Sequence, residues 1–136
     1  MENIHDIGFS PDQKHLVVLQ KLNQAEFIVY EGYRLNKLPN VKITEDKNKK
    51  NETTLTSFAF SPNNDLLVVG SIEGAIYGFK IEEGGNKFNA QVQYTYFIGD
   101  KSIDFNVSSI TINKNNQVAV CANNRIYILK GNDETK

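Results

Sequence analysis

A chain of 136 residues with 15 basic and 16 acidic side chains has a formal charge of −1, which leaves no excess of cations to hold nucleic acid or an anionic membrane surface. Its composition, 40% hydrophobic and 23% charged, is that of a folded domain, and no apolar run approaches the roughly 20 residues of a membrane span, so membrane insertion is not expected. Met1-Glu-Asn-Ile-His-Asp lacks the basic start and apolar stretch of a secretory signal, and the single cysteine, Cys121, falls in an apolar run; a reduced thiol and a cytoplasmic setting are expected.

The first predicted element is a strand over 4–9, closing on the phrase Ile7-Gly-Phe-Ser-Pro-Asp-Gln13. Proline fixes φ for a type I turn and the preceding serine can bond the returning backbone, so a second strand over 15–20 should pair antiparallel with the first. A polar link, Lys21 to Ala25, leads to a third strand over 26–30, rich in β-branched and aromatic residues. A charged loop over 44–53 follows. Its Lys47, Lys49 and Lys50 are candidate partner contacts, although Glu45, Asp46 and Glu52 dilute them and favour a solvated loop.

The pattern then restarts. Phe58-Ala-Phe-Ser-Pro-Asn-Asn64 closes a strand over 55–60, and strands over 66–71 and 75–80 follow around the tight turn Ile72-Glu-Gly74. Gly84-Gly85 turns the chain into an outer strand over 90–98, whose alternation marks a half-exposed edge. Tyr94, Tyr96 and Phe97 on that strand are candidate partner-facing aromatics, since tyrosine combines apolar area with a polar tip; packing between sheets competes for the same side chains. A third, more worn copy, Ile110-Thr-Ile-Asn-Lys-Asn-Asn116, closes a strand over 107–112, and strands over 117–122 and 125–130 flank Asn123-Asn124. Phe60, Val68 and Ile126 are expected to be buried.

Placing Phe9 on Phe60 and Phe60 on Ile112 gives spacings of 51 and 52 residues, close to the length of one four-stranded propeller blade with a long loop. No segment carries a helical apolar stripe. The run Phe-Ser-Pro-Asn-Asn, then Leu-Leu-Val-Val-Gly-Ser, then Glu-Gly-Ala-Ile-Tyr-Gly-Phe resembles a WD-repeat blade. The chain departs from that family where its blades are usually stitched. The closing Trp-Asp is Val29-Tyr30, Phe79-Lys80 and Leu129-Lys130, there is no tryptophan, neither His5 nor His15 follows a glycine, and Glu73 stands where the hairpin aspartate is usual. The expected architecture is therefore all-β, a partial and divergent β-propeller of about three antiparallel blade sheets. It forms one domain over 1–136, with units at about 1–45, 54–98 and 105–131. Closed rings take about four to eight blades, so this chain alone is not expected to close one.

The resemblance implies a non-enzymatic scaffold or adaptor whose partners are other protein chains that complete or cover the propeller, in a cytoskeletal, ciliary or vesicle-coat assembly of the cytoplasm. No cofactor, metal or small-molecule ligand is expected, because His5, His15, Asp6, Asp12, Asp65, Asp100 and Asp104 show no metal-ligand spacing and no nucleophile motif occurs. The alternative is a ligand-binding or enzymatic propeller that uses the central channel. There the first strands of each unit would converge and present His5, Asp6, Thr56, Ser57, Ser108 and Ser109.

Overall fold

The computed structural model describes residues 4–20, 26–32, 36–42, 54–82, 89–98 and 106–129, and every regular element among them is a β-strand. The first sheet runs β1 (Ile4–Phe9), β2 (His15–Gln20), β3 (Glu26–Glu31) and β4 (Val41–Lys42) in spatial order. The second runs β5 (Leu55–Phe60), β6 (Leu66–Ser71), β7 (Ala75–Glu82) and β8 (Asn89–Phe97). The third holds β9 (Val107–Ile112), β10 (Val118–Ala122) and β11 (Arg125–Leu129). All pairings are antiparallel meanders, so each unit is a blade whose innermost strand is its first.

The turns work as their chemistry requires. Ser10 and Ser61 each accept the amide of the returning strand on their hydroxyl, from His15 at 3.1 Å and from Leu66 at 3.0 Å. Gln13, Asn64 and Asn116 occupy one turn position in the three blades, with φ of 63°, 61° and 62°. Asparagine tolerates this left-handed conformation better than most residues. At the other end, Asn123 and Asn124 take φ of 52° and 60°, the two positive values of a tight type I′ hairpin.

Two apolar cores hold the blades together, one at each junction. Between the first and second blades Val17, Leu19, Phe27 and Val29 meet Leu55, Leu67, Val69 and Phe79. The rings of Phe27 and Phe79 lie edge to face, with centroids 5.4 Å apart. Between the second and third blades Leu66, Val68 and Ile76 meet Val107, Ile110, Val118 and Val120. Val68 is fully buried, as expected, while Phe60 is only half-buried against the first core.

Ile126 does not follow the expectation of burial: it is 76% exposed. It points away from the second blade, on the face of the third sheet that no described residue covers. The short strand β4 was not expected either. It pairs with β3 through Glu26–Lys42 and Phe27–Val41, and the bridge between Tyr30 and Lys37 extends the contact. Pro39 lies between these contacts, and without an amide proton it cannot continue a ladder. The Lys21 to Ala25 link and the 44–53 loop lie outside the described residues.

Candidate protein-interaction faces

Each inner strand carries a β-bulge at the same place. The register shifts between Ile4 and Asp6 in β1, between Leu55 and Ser57 in β5, and at Val107 to Ser109 of β9 opposite Cys121 and Ala122. The extra residues are His5, Thr56 and Ser108. A bulge bends its strand and re-aims the side chain it inserts. Thr56 Oγ1 accordingly donates to the carbonyl of Val107 at 2.6 Å, across the junction to the third blade, and the neighbouring Ser57 Oγ donates to the same oxygen at 3.0 Å. At the first junction Asp6, at the place of Ser57, makes a different bond: its Oδ2 accepts the amide of Phe58 at 3.3 Å. Ser108 Oγ donates back to the Cys121 carbonyl at 3.1 Å. The side chains that suggested a ligand channel in the sequence are thus used in part as stitches between inner strands.

The turns make a second stitch. Asn64 Nδ2 donates to Asp12 Oδ2 of the preceding blade at 3.0 Å, and Asn116 Nδ2 reaches both carboxylate oxygens of Asp65 at 3.4 Å. Asn63 Nδ2 adds a bond to the Lys114 carbonyl at 3.4 Å. Asp12 and Asp65 are themselves held by the turn serines, Ser10 Oγ donating at 2.5 Å and Ser61 Oγ at 2.7 Å. These inner and turn bonds stand at junctions where the usual histidine–aspartate–serine–tryptophan stitching is absent from the sequence. Sequence reasoning missed them. The recurrence of an amide side chain at 64 and 116, each one blade on from a turn that carries a carboxylate, Asp12 or Asp65, was the available signal.

Both end faces of the stack are open among the described residues. On the first blade Ile4, Ile7 and Phe9 are 59%, 56% and 57% exposed. Their counterparts one and two blades on are covered: Leu55 and Val107 at 3% and 0%, Ile110 and Ile112 at 8% and 7%, with Phe58 and Phe60 packed on the first core. On the third blade Ile126 and Ile128 lie open. Ile126 pairs with Cys121 as Ile76 pairs with Gly70, so the two isoleucines hold one place in successive sheets. One is fully buried and the other is not. A groove of about 280 Å³ runs beside Ile128, lined also by Thr111, Ile112, Asn113, Gln117, Val118 and Ala119, with no ionisable side chain.

The expected partner contacts distribute unevenly. Tyr94 lies over Gly78, where an added Cβ would collide with its ring, and the tilted rings of Tyr94 and Tyr96, centroids 5.0 Å apart, pack on the core between the second and third blades. Burial, with Tyr96 adding to it, pushes the Tyr94 hydroxyl up to about 12. The side chain of Phe97 and the residues Lys47, Lys49 and Lys50 fall outside what is described. No group of three His, Cys, Asp or Glu suited to a metal occurs among the described residues.

No protein-family model matches the chain, and no curated protein matches it. Solved structures do. The β-propeller domain of Myceliophteria thermophila Cps50 (Swd1) superposes with a TM-score of 0.71 at 12% identity, over 96% of this chain and 38% of that one. The WD40 repeats of RRP9 give 0.72 at 15%, over 94% and 35%, and the structure of U3-55K gives 0.72 at 15%, over 94% and 36%. The chain spans little more than a third of the structures it matches. With its three meander sheets stacked on two junction cores, it has the fold of part of a WD-repeat β-propeller.

Proposed function

We propose that the chain is a non-enzymatic scaffold, a WD-like propeller segment that binds protein within a larger assembly. The observation that carries this reading is the pair of isoleucines at one place in successive sheets, Ile76 fully buried and Ile126 76% exposed. An aliphatic surface of this kind in water costs about 25 cal/mol per Å², and large exposed apolar patches mark interaction sites. The fold alone does not assign a role, since propellers serve many. The chemistry of the exposed faces, aliphatic with hydroxyl and amide groups at their inner and turn ends, suits the side of another β-sheet. Tyr96 and Phe97 on the edge strand, together with Lys47, Lys49 and Lys50, would supply secondary contacts, because an edge strand also offers unpaired backbone groups.

Photo-crosslinking tests this. A crosslinking amino acid at position 126 or at position 9, introduced into the chain in its native cells, should form covalent adducts with protein. The same group at the exposed turn residue Glu73 should not. Equal labelling at all three positions, or none at 126 and 9, would contradict the proposal.

A further inference from the structure

We infer that Ser108 and Ser109 form a binding site for a backbone carbonyl at the start of a β-strand, the inner strand of a further antiparallel sheet that packs on the open face of the third blade. The inference rests on the scaffold reading above and names the chemistry of the partner that covers Ile126. A single junction carries it, the one between the second and third blades, whose donor side recurs on the third blade.

At that junction Thr56 is the bulged residue of the inner strand, and its Oγ1 lies 2.6 Å from the carbonyl oxygen of Val107 in the next sheet and 3.4 Å from that of Gly70 in its own. A hydroxyl has one proton to donate, and here the nearer oxygen takes it. Ser108 is the bulged residue of the third inner strand, and its Oγ donates at 3.1 Å to the carbonyl of Cys121, which holds the place of Gly70. The bond within the sheet is therefore in place on the third blade. Ser57 Oγ is the second donor to Val107, at 3.0 Å, and Ser109 holds its place. Ser108 and Ser109 are both exposed, whereas Ser57 is buried. Ile126 stands beside them as Ile76 stands beside the bonded pair. The side chain of Cys121 is no obstacle, because Leu19 holds the same place on the first blade and is buried with Leu55 in the first core.

Two hydroxyls converging on one oxygen select a carbonyl that its own secondary structure leaves without a donor. A helix keeps its carbonyls on its own amides except in the last turn. The inner strand of a sheet is an edge, with backbone groups turned away from the ladder. The same register sets the side chains that arrive with that carbonyl. Ile110 and Ile112 follow Val107 at three and five places, and one blade back Phe58 and Phe60 follow Leu55 at the same distances; all of them pack on the preceding blade. The groove lined by Thr111, Ala119 and Ile128 stands at the place of Ala59, Val68 and Gly78, on the face of the second blade that Ile110 and Ile112 cover. The partner strand thus carries an apolar residue at the bound carbonyl and two more at three and five places beyond it.

Thiol labelling of the assembly recovered from native cells provides the test, in a chain with Cys121→Ser and Ile126→Cys. Ser109→Ala should speed labelling at 126 in the assembly about 2–10-fold, the effect of one hydrogen bond on the opening equilibrium, and should leave labelling of the isolated chain unchanged. Ser109→Thr keeps the hydroxyl and should keep the parent rate. Ser57→Ala beside Ile76→Cys is the matching case within one chain and should respond in the same direction. Peptide mapping of the crosslinks from position 126 should find a segment with apolar residues at the spacing of Val107, Ile110 and Ile112. An unchanged rate in Ser109→Ala while 126 stays protected, or crosslinks to a helix or to a segment without that spacing, would overturn the inference and leave the scaffold reading standing. A thiol at 126 that labels in the assembly as it does in the isolated chain would overturn both.

Discussion

The side-chain amide of Asn64 donates to the carboxylate of Asp12 over 3.0 Å, joining the turn of the second blade to the turn of the first. One blade on, Asn116 makes a similar contact at 3.4 Å with Asp65, a carboxylate two residues past the place of Asp12. A double-mutant cycle should find Asn64→Ala and Asp12→Ala coupled by about 0.5–1.5 kcal/mol, the range of a hydrogen bond that water partly replaces. Since Asn64 has φ of 61°, part of the single alanine effect is backbone strain. Asn64→Gly should lose the coupling while avoiding that strain.

Asp12 and His15 give the first turn an acid limit. Burial pushes the Asp12 carboxyl up, but the Ser10 hydroxyl, the Lys14 amide and the charges of His15 and Lys14 outweigh it and hold it below the ordinary 3.8. Burial is also the largest influence on His15 and lowers its imidazole below 6.5, against the pull of Asp12. Both folded values are depressed, so the stabilisation from each is present above the ordinary value and is lost as pH falls through the folded one. Urea titrations should show stability declining below 6.5 and again below 3.8. His15→Gln should flatten the first decline relative to the parent, and Asp12→Asn the second. Differences that stay constant with pH would contradict this.

The paired isoleucines should differ sharply in what they contribute. Ile76→Ala empties a closed core and should cost about 2–5 kcal/mol. Ile126→Ala should change stability by less than about 0.5 kcal/mol in the isolated chain.

At the inner strands, Thr56→Val and Ser57→Ala should each cost about 1 kcal/mol in chemical denaturation. The double variant should cost about 1–3 kcal/mol, because it deprives the Val107 carbonyl of both donors.

Gly78→Ala should destabilise by about 1–3 kcal/mol, because the methyl group enters the space of the Tyr94 ring. Tyr94→Leu in the same chain should recover part of the loss. Additive losses would mean that the ring does not lie over Gly78.

The strands were legible because the sequence marks where they stop. Ser-Pro and Asn-Asn turns bracket β-branched runs, and the inner strands span 4–9, 55–60 and 107–112, as the repeat predicts. Burial was less legible. Alternation tells which residues share a face and not whether anything covers that face, so Ile126 resembles Ile76 in the sequence although no described residue covers it. The stitches were hidden for a different reason. Thr56 and Ser57 are polar residues on an inner strand, which suggests a channel, and only the bulge at Thr56 turns them toward Val107. The two-residue strand β4, separated by Pro39 from the bridge at Lys37, has no periodicity to detect.

The central claim is the proposal that the open face of the third blade is a protein-binding face. Thiol accessibility tests it most directly, in a chain with Cys121→Ser carrying either Ile126→Cys or Ile76→Cys. The account predicts that a thiol at 126 reacts freely in the dilute chain and is protected in the assembly recovered from cells, while one at 76 is protected in both. A thiol at 126 that reacts equally in chain and assembly, or that is already protected in the dilute chain, would contradict it.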